Sequence, residues 1–260
     1  MPGHYRAPAR LLAELGITEP GDIDLDDIAF ACGALVVREP LTGCEARLLG
    51  HADRAVITVN VNTKSVARQR FSIGHEIGHW MHHRTKASFR CTKRDFTRSW
   101  GEPSPEKDAN AYAADLLLPP HMYTPRVKGR EMTLATAAEM ADTFQSSLTA
   151  SAIQLVDVGS SPAIVLCTGP SGIIWRAYGS DVRIKLPLRD RPTSDSVAYD
   201  ILRGAAAPGP TTVSASAWFT DGAAAYHEIC EDSRSIGDDV LTILWWQDEG
   251  HLLTLMGLGH

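Results

Sequence analysis

Two histidines four residues apart, His75 and His79, with Glu76 beside the first, constrain this 260-residue chain more than any other stretch. The H-E-x-x-H spacing suits a helix. At 3.6 residues per turn both imidazoles leave nearly the same face, close enough to grip one zinc ion. Glu76 then lies beside the open coordination position, where a carboxylate can take the proton of an attacking water. With 10 His in the chain, the pattern arises by chance in roughly 2% of sequences of this composition. The surrounding sequence therefore has to decide.

From 65 to 83 there is no proline, and Ile73, Ile77 and Trp80 form an apolar stripe opposite the two histidines. One side of such a helix can be buried while the other faces a site. Gly74 and Gly78 each cost about 1 kcal/mol relative to alanine in a helix interior. They make sense if another backbone or a substrate approaches closely there.

Zinc held for catalysis needs a third protein ligand. A second helix, from Pro105 to about Leu118, offers Glu106, with Ser104 as its N-cap and Pro105 at the first helical position. Stepping 100° per residue puts Ala109, Asn110, Ala113, Leu116 and Leu117 on the face of Glu106, and Asp108 and Asp115 on the opposite one. A carboxylate centred on an apolar face is costly unless it is paired or bound to a metal. The alternative is a solvated first-turn residue favoured by the helix dipole. Asn110, one turn on, is placed to hydrogen-bond a histidine and hold it in the right tautomer.

The stretches from Arg70 to Trp80 and from Glu106 to Pro119 resemble the ImmA/IrrE family of bacterial metallopeptidases, with its R-F-x-x-A-H-E-x-G-H and E-x-x-A-N-x-F-A-A-x-L-L-x-P helices. Gly74 replaces the usual Ala, Tyr112 the usual Phe and Asp115 the usual Glu; no ligand is touched. The resemblance covers about residues 6–157 and is looser beyond. It implies one zinc ion, with manganese a substitute in vitro, on His75, His79 and Glu106, and Glu76 as general base. It also implies cleavage of a helix-turn-helix transcriptional repressor that switches on a damage, stress or mobile-element response.

The fold expected is α+β. A mostly helical, zincin-like peptidase domain over 1–158 carries a small antiparallel sheet, followed by a smaller α+β domain over 159–260. In the first, 7–15 and 24–32 read as helices and 45–50 and 55–61 as strands. In the second, 163–167, 172–178 and 240–246 read as strands and 195–202 as a helix. A regulatory, sensor-type role for the second domain rests on analogy with the family alone.

Residues 84–102 carry six Lys or Arg and read as a solvated basic loop or a docking surface for an acidic partner. Residues 133–157 look like a helix-turn-helix around Phe144-Gln145-Ser146-Ser147. From 131 to 157 there is no Lys or Arg, while Glu131, Glu139, Asp142 and Asp157 are acidic. DNA binding is thus not expected. The pair is read instead as a brace, or as an apolar groove along Leu134, Met140, Phe144 and Leu148. His227, Glu228, Cys230, Glu231 and Asp232 match no standard metal spacing and read as a surface or turn cluster. Trp245 and Trp246 read as core and interface.

Five widely spaced cysteines suit neither a disulfide framework nor a Cys-x-x-Cys site, no long apolar run exists and net charge is −6. A cytoplasmic protein with no membrane or direct nucleic-acid partner is expected. The oxyanion-stabilising group stays open among His83, Tyr112 and His121. Two rivals remain: a non-proteolytic zinc-containing regulator acting through protein–protein binding, and a zinc hydrolase of small molecules.

Overall fold

Helix α3, Val66–His83, is the axis around which the first half of the chain is built. Ser65 starts it, its Oγ accepting the N–H of Arg68 at 3.3 Å. Every residue from Ser72 to Met81 is buried, so the helix is enclosed on all sides and not only along its Ile73–Ile77–Trp80 stripe. The computed structural model describes residues 5–83, 88–91, 104–182, 187–220, 224 and 226–247. It divides into two compact units, residues 1–123 with 141–147, and residues 124–140 with 148–260.

In the first unit two short helices, α1 (Pro8–Glu14) and α2 (Leu25–Ala31), precede a four-stranded sheet. Asp24 caps α2, its carboxylate accepting the N–H groups of Asp26 and Asp27. The strands β1 (Ala34–Glu39), β2 (Ala46–His51), β3 (Arg54–Asn60) and β4 (Ser88–Cys91) lie in the order β1-β3-β2-β4. The β2–β3 pair is antiparallel, as expected; β4, in the stretch read as a basic loop, also pairs antiparallel with β2, and β1 runs parallel to β3 and makes the sheet mixed. The β2–β3 hairpin folds back so that β3 lies between β1 and β2, and strands entering in that order meet in parallel. Apart from β4, the basic segment 84–102 lies outside the described residues.

Helix α3 packs on β2 and β3. The Trp80 ring lies against Gly50, where a Cβ would come within 2.7 Å of it. The Trp80 indole N–H donates to the Cys32 carbonyl at 2.8 Å. On another side α3 packs against α4 (Pro105–Leu117), which opens with Ser104 as N-cap and Pro105 in the first turn.

The second unit holds a five-stranded antiparallel sheet in the order β6-β5-β9-β8-β7. Its strands are β5 (Ala163–Gly169), β6 (Gly172–Tyr178), β7 (Thr211–Ser214), β8 (Glu228–Ile236) and β9 (Asp239–Trp245). Helix α7 (Leu148–Val158) packs on β5, β6 and β9, and α8 (Val197–Leu202) on β8 and β9. Packing therefore groups α7 with the C-terminal sheet, whereas the sequence pattern changes only after it.

The acidic cluster is not a surface turn. It is strand β8, and Glu231 and Asp232 are buried in it. Glu231 accepts the backbone N–H of Ala198 at 2.7 Å, the hydroxyls of Ser196 and Ser233 at 3.1 and 2.8 Å, and the Trp218 indole N–H at 2.9 Å. Asp232 accepts the N–H of Leu134 at 2.7 Å, at the head of α6 (Leu134–Phe144). Neighbouring strand residues point to opposite faces, so one strand caps a helix on each face of the sheet.

Helices α6 and α7 meet at Gln145, whose φ of 51° is left-handed. The Ser146 N–H reaches the Ala141 carbonyl at 2.8 Å and that of Gln145 the Asp142 carbonyl at 3.3 Å, the paired bonds of a Schellman turn. Of the four residues expected to line an apolar groove, Leu148 is half-buried. Leu134, Met140 and Phe144 are all buried, and Phe144 packs its ring on Tyr123 at 5.4 Å. Their burial stabilises the fold.

Candidate metal centre

Two helices supply the site, and each gives a pair of side chains one turn apart. Helix α3 gives His75 and His79; α4 gives Glu106 and Asn110. The helices come close because two glycines of α3 face α4. At Gly78 a Cβ would stand 2.9 Å from both Cα and the carbonyl oxygen of Ala109, and 3.0 Å from the Tyr112 Cβ. At Gly74 it would stand 3.4 Å from the Ala113 Cβ. The close backbone approach expected of these glycines is thus most stringent at Gly78.

At the crossing three ligand-type atoms converge. His75 Nε2 lies 3.0 Å from His79 Nε2 and 3.1 Å from Glu106 Oε2, and His79 Nε2 lies 3.3 Å from the same oxygen. Two bonds of about 2.0–2.1 Å at the tetrahedral angle separate their donor atoms by about 3.3 Å. The trio therefore has the spacing of three corners of a zinc tetrahedron. Among the described residues it is the cluster of His, Cys, Asp and Glu able to hold an ion.

Its chemistry fits a cation as well. Asn110 Oδ1 lies 2.9 Å from His75 Nδ1. A carbonyl oxygen can only accept, so Nδ1 carries the proton and the Nε2 lone pair points into the cluster. Burial lowers the pKa of His79, which favours the neutral, ligand-competent imidazole. Burial alone would raise the Glu106 carboxyl, but hydrogen bonds and charge from the His75 and His79 rings, when these carry a proton on the cluster side, outweigh it and hold it at about 2. Its side chain is 35% exposed, so the cluster opens to solvent on that side. Glu76, next to His75, is fully buried.

Asp108 and Asp115 are exposed on the far side of α4. Of the groups considered for the oxyanion, Tyr112 is committed elsewhere: it is buried and its hydroxyl donates to the Arg6 carbonyl at 2.9 Å. His121 is exposed on α5 (Pro120–Val127), whereas His83 lies one turn beyond His79 with ring centroids 5.9 Å apart. A contact not read from the sequence is Arg70, whose Nη2 donates to the Ile23 carbonyl at 3.1 Å and ties α3 to the start of α2. The only sequence signal for it is a charged residue near the head of a helix that is otherwise enclosed.

Residues 31–155, which include the whole of both site helices, match the family model described as the IrrE N-terminal-like domain, a peptidase family. This segment of the chain belongs to the ImmA/IrrE family. That membership gives it a metallopeptidase-type domain. No curated protein sequence matches the chain. Among solved structures it is similar to a Mycobacterium tuberculosis transcriptional regulator, with a TM-score of 0.58 and 13% identity, over 96% of this chain and 76% of that one. At that identity the likeness is one of fold. Among the described residues no helix is long and apolar enough to cross a membrane.

Proposed function

We propose that the chain is a cytoplasmic, zinc-dependent endopeptidase that makes a site-specific cut in a helix-turn-helix repressor, inducing a stress, DNA-damage or mobile-element response. The observation that carries the peptidase reading is the convergence of His75, His79 and Glu106 beside a buried Glu76, inside a domain of a peptidase family. The choice of repressor follows from the family resemblance.

Zinc in this site would polarise the scissile carbonyl and lower the pKa of water towards 7. The protein's own groups do the rest. Asn110 holds the Nδ1 proton of His75 and so fixes which nitrogen faces the site. Glu106, ionised throughout the neutral range, completes the donor set with a negative charge. Glu76 takes the proton of the attacking water and hands it to the leaving amine. Its burial keeps bulk water from competing for that proton.

The test is co-expression with the helix-turn-helix regulator encoded nearest its gene. A single specific cut with the natural chain, absent with Glu76→Gln, is expected. A regulator released equally by both chains, intact in both, would instead favour the non-proteolytic regulator.

A further inference from the structure

The second unit contains a cavity of about 360 Å³, lined by none of the residues of the metal centre. Its floor is made by the sheet. Thr212 on β7, Cys230 on β8 and Trp245 on β9 pair side by side, so all three side chains stand on one face. Asp232, two residues beyond Cys230, meets the head of α6 on that same face. The walls are the connector 129–132 between α5 and α6 and the turn 160–161 ahead of β5.

Two properties of the lining decide what fits. The first is Trp245, which is only 7% exposed. The indole N–H groups of Trp80 and Trp218 donate to the Cys32 carbonyl and to Glu231. Among the described residues none accepts from the Trp245 N–H, and that atom is not sealed from solvent. Trp245 therefore offers the cavity an apolar ring together with a spare donor. The second property is charge. The charged members of the lining are Arg130 and Glu131, and Glu139 already holds the Arg130 guanidinium at 2.6 Å. Glu131 opposes an anion. Burial pushes the Cys230 thiol up, which keeps it neutral. The remaining polar side chains are hydroxyls, such as those of Ser161 and Thr212, and the Gln247 amide, all able both to donate and to accept. The volume lies near the lower end of the range for small-molecule sites, about 300–1,000 Å³.

We propose that this cavity binds a neutral small molecule that joins a flat ring to a hydroxyl-bearing arm, with a nucleoside as the type. The ring lies against Trp245, the arm meets the hydroxyls, and Glu131 turns phosphorylated forms away.

The test is calorimetry on the full-length chain, titrated separately with adenosine, guanosine, cytidine, uridine, thymidine, AMP and glucose. At least one nucleoside should bind one-to-one with a Kd of roughly 10–100 μM, as expected for about 20 non-hydrogen atoms. AMP should bind at least 10-fold more weakly because of its charge, and glucose likewise because it has no flat ring. Trp245→Leu should weaken the nucleoside at least 10-fold. Glu131 is exposed, and Glu131→Gln should leave the nucleoside within about 3-fold while tightening AMP about 5-fold or more. Thr212 is exposed on the edge strand β7, so Thr212→Trp should fold, fill the cavity and abolish binding; it decides the matter if Trp245→Leu does not fold. Failure of every nucleoside to bind overturns the proposal. So does glucose or AMP binding as tightly as the nucleosides, or unchanged nucleoside binding in Thr212→Trp.

Discussion

Alanine at Gly78 and at Gly74 should push the protein in opposite directions, although both replace a glycine inside the same helix. Each substitution gains about 1 kcal/mol of helix propensity. At Gly74 the new methyl meets the Ala113 Cβ at 3.4 Å and Cα at 3.5 Å, ordinary packing distances, so most of that gain is kept. At Gly78 it meets the Ala109 backbone at 2.9 Å, and backbone cannot swing away as a side-chain tip can. Relief requires α4 to move by about 0.5 Å, and such overpacking costs about 1–3 kcal/mol. The net effect on metal-free stability is a loss of about 0–2 kcal/mol at Gly78 and a gain of about 0.5–1 kcal/mol at Gly74.

The larger effect of Gly78→Ala is on the metal. Glu106 and Asn110 flank Ala109 on α4, so both shift with it, whereas donor distances tolerate only about 0.2 Å. Zinc affinity should fall about 10–100-fold. Chelator competition gives the affinity, and thermal unfolding of metal-stripped protein gives the stability. If Gly78→Ala melts higher than the natural chain and binds zinc equally well, the glycine contact does not set the ligand geometry.

Glu76→Gln should keep zinc and fold while cleavage of a verified substrate falls at least ~10²-fold, since shape is retained and the base is removed; equal cleavage rates would refute it. Glu231→Leu should destabilise the chain by about 3–5 kcal/mol in denaturant titration, because four donors aimed at the carboxylate are left buried together. A loss below about 1 kcal/mol would show that those donors find other acceptors. Gln145→Gly should stabilise by about 0.5–1 kcal/mol, since glycine adopts the left-handed φ of 51° without strain; an unchanged melting temperature would count against strain there. A gel shift with duplex DNA should be absent at any salt, and a shift abolished by changing Gln145, Ser147 and Thr149 to Glu would overturn that.

The first unit was readable in the sequence where its signals are local. The α3 pattern, the Ser104–Pro105 start of α4 and the phase that separates Glu106 from Asp108 all depend on residues within a few positions of one another. The structure brings His75, His79 and Glu106 together, and places Asn110 against His75. What stayed hidden depends on distant partners. Strand β8 reads Glu-Ile-Cys-Glu-Asp-Ser-Arg-Ser-Ile, without apolar alternation. Its two buried carboxylates are accounted for by Ala198, 33 positions away, and Leu134, 98 positions away. The parallel β1–β3 pairing depends on how the β2–β3 hairpin folds back, which no local pattern records. Leu134, Met140, Phe144 and Leu148 have the spacing of an apolar groove, and only the packed fold shows the first three to be buried and Leu148 half-buried.

The pair Glu231–Asp232 also acts as a lock on strand alignment. Sliding β8 by one residue along β9 would carry every side chain to the opposite face of the sheet. The glutamate would then be turned away from Ala198, Ser196 and Trp218, and the aspartate from Leu134. One helix end would then lose its carboxylate and the other would meet the wrong acid. A strand with so little apolar alternation would otherwise pair in several alignments of similar energy. With acids on consecutive residues, only one alignment satisfies both helices, and it cannot be reached until Leu134 and Ala198 have both arrived. The second sheet is therefore expected to settle its final alignment late in folding, after α6 and α8 have formed.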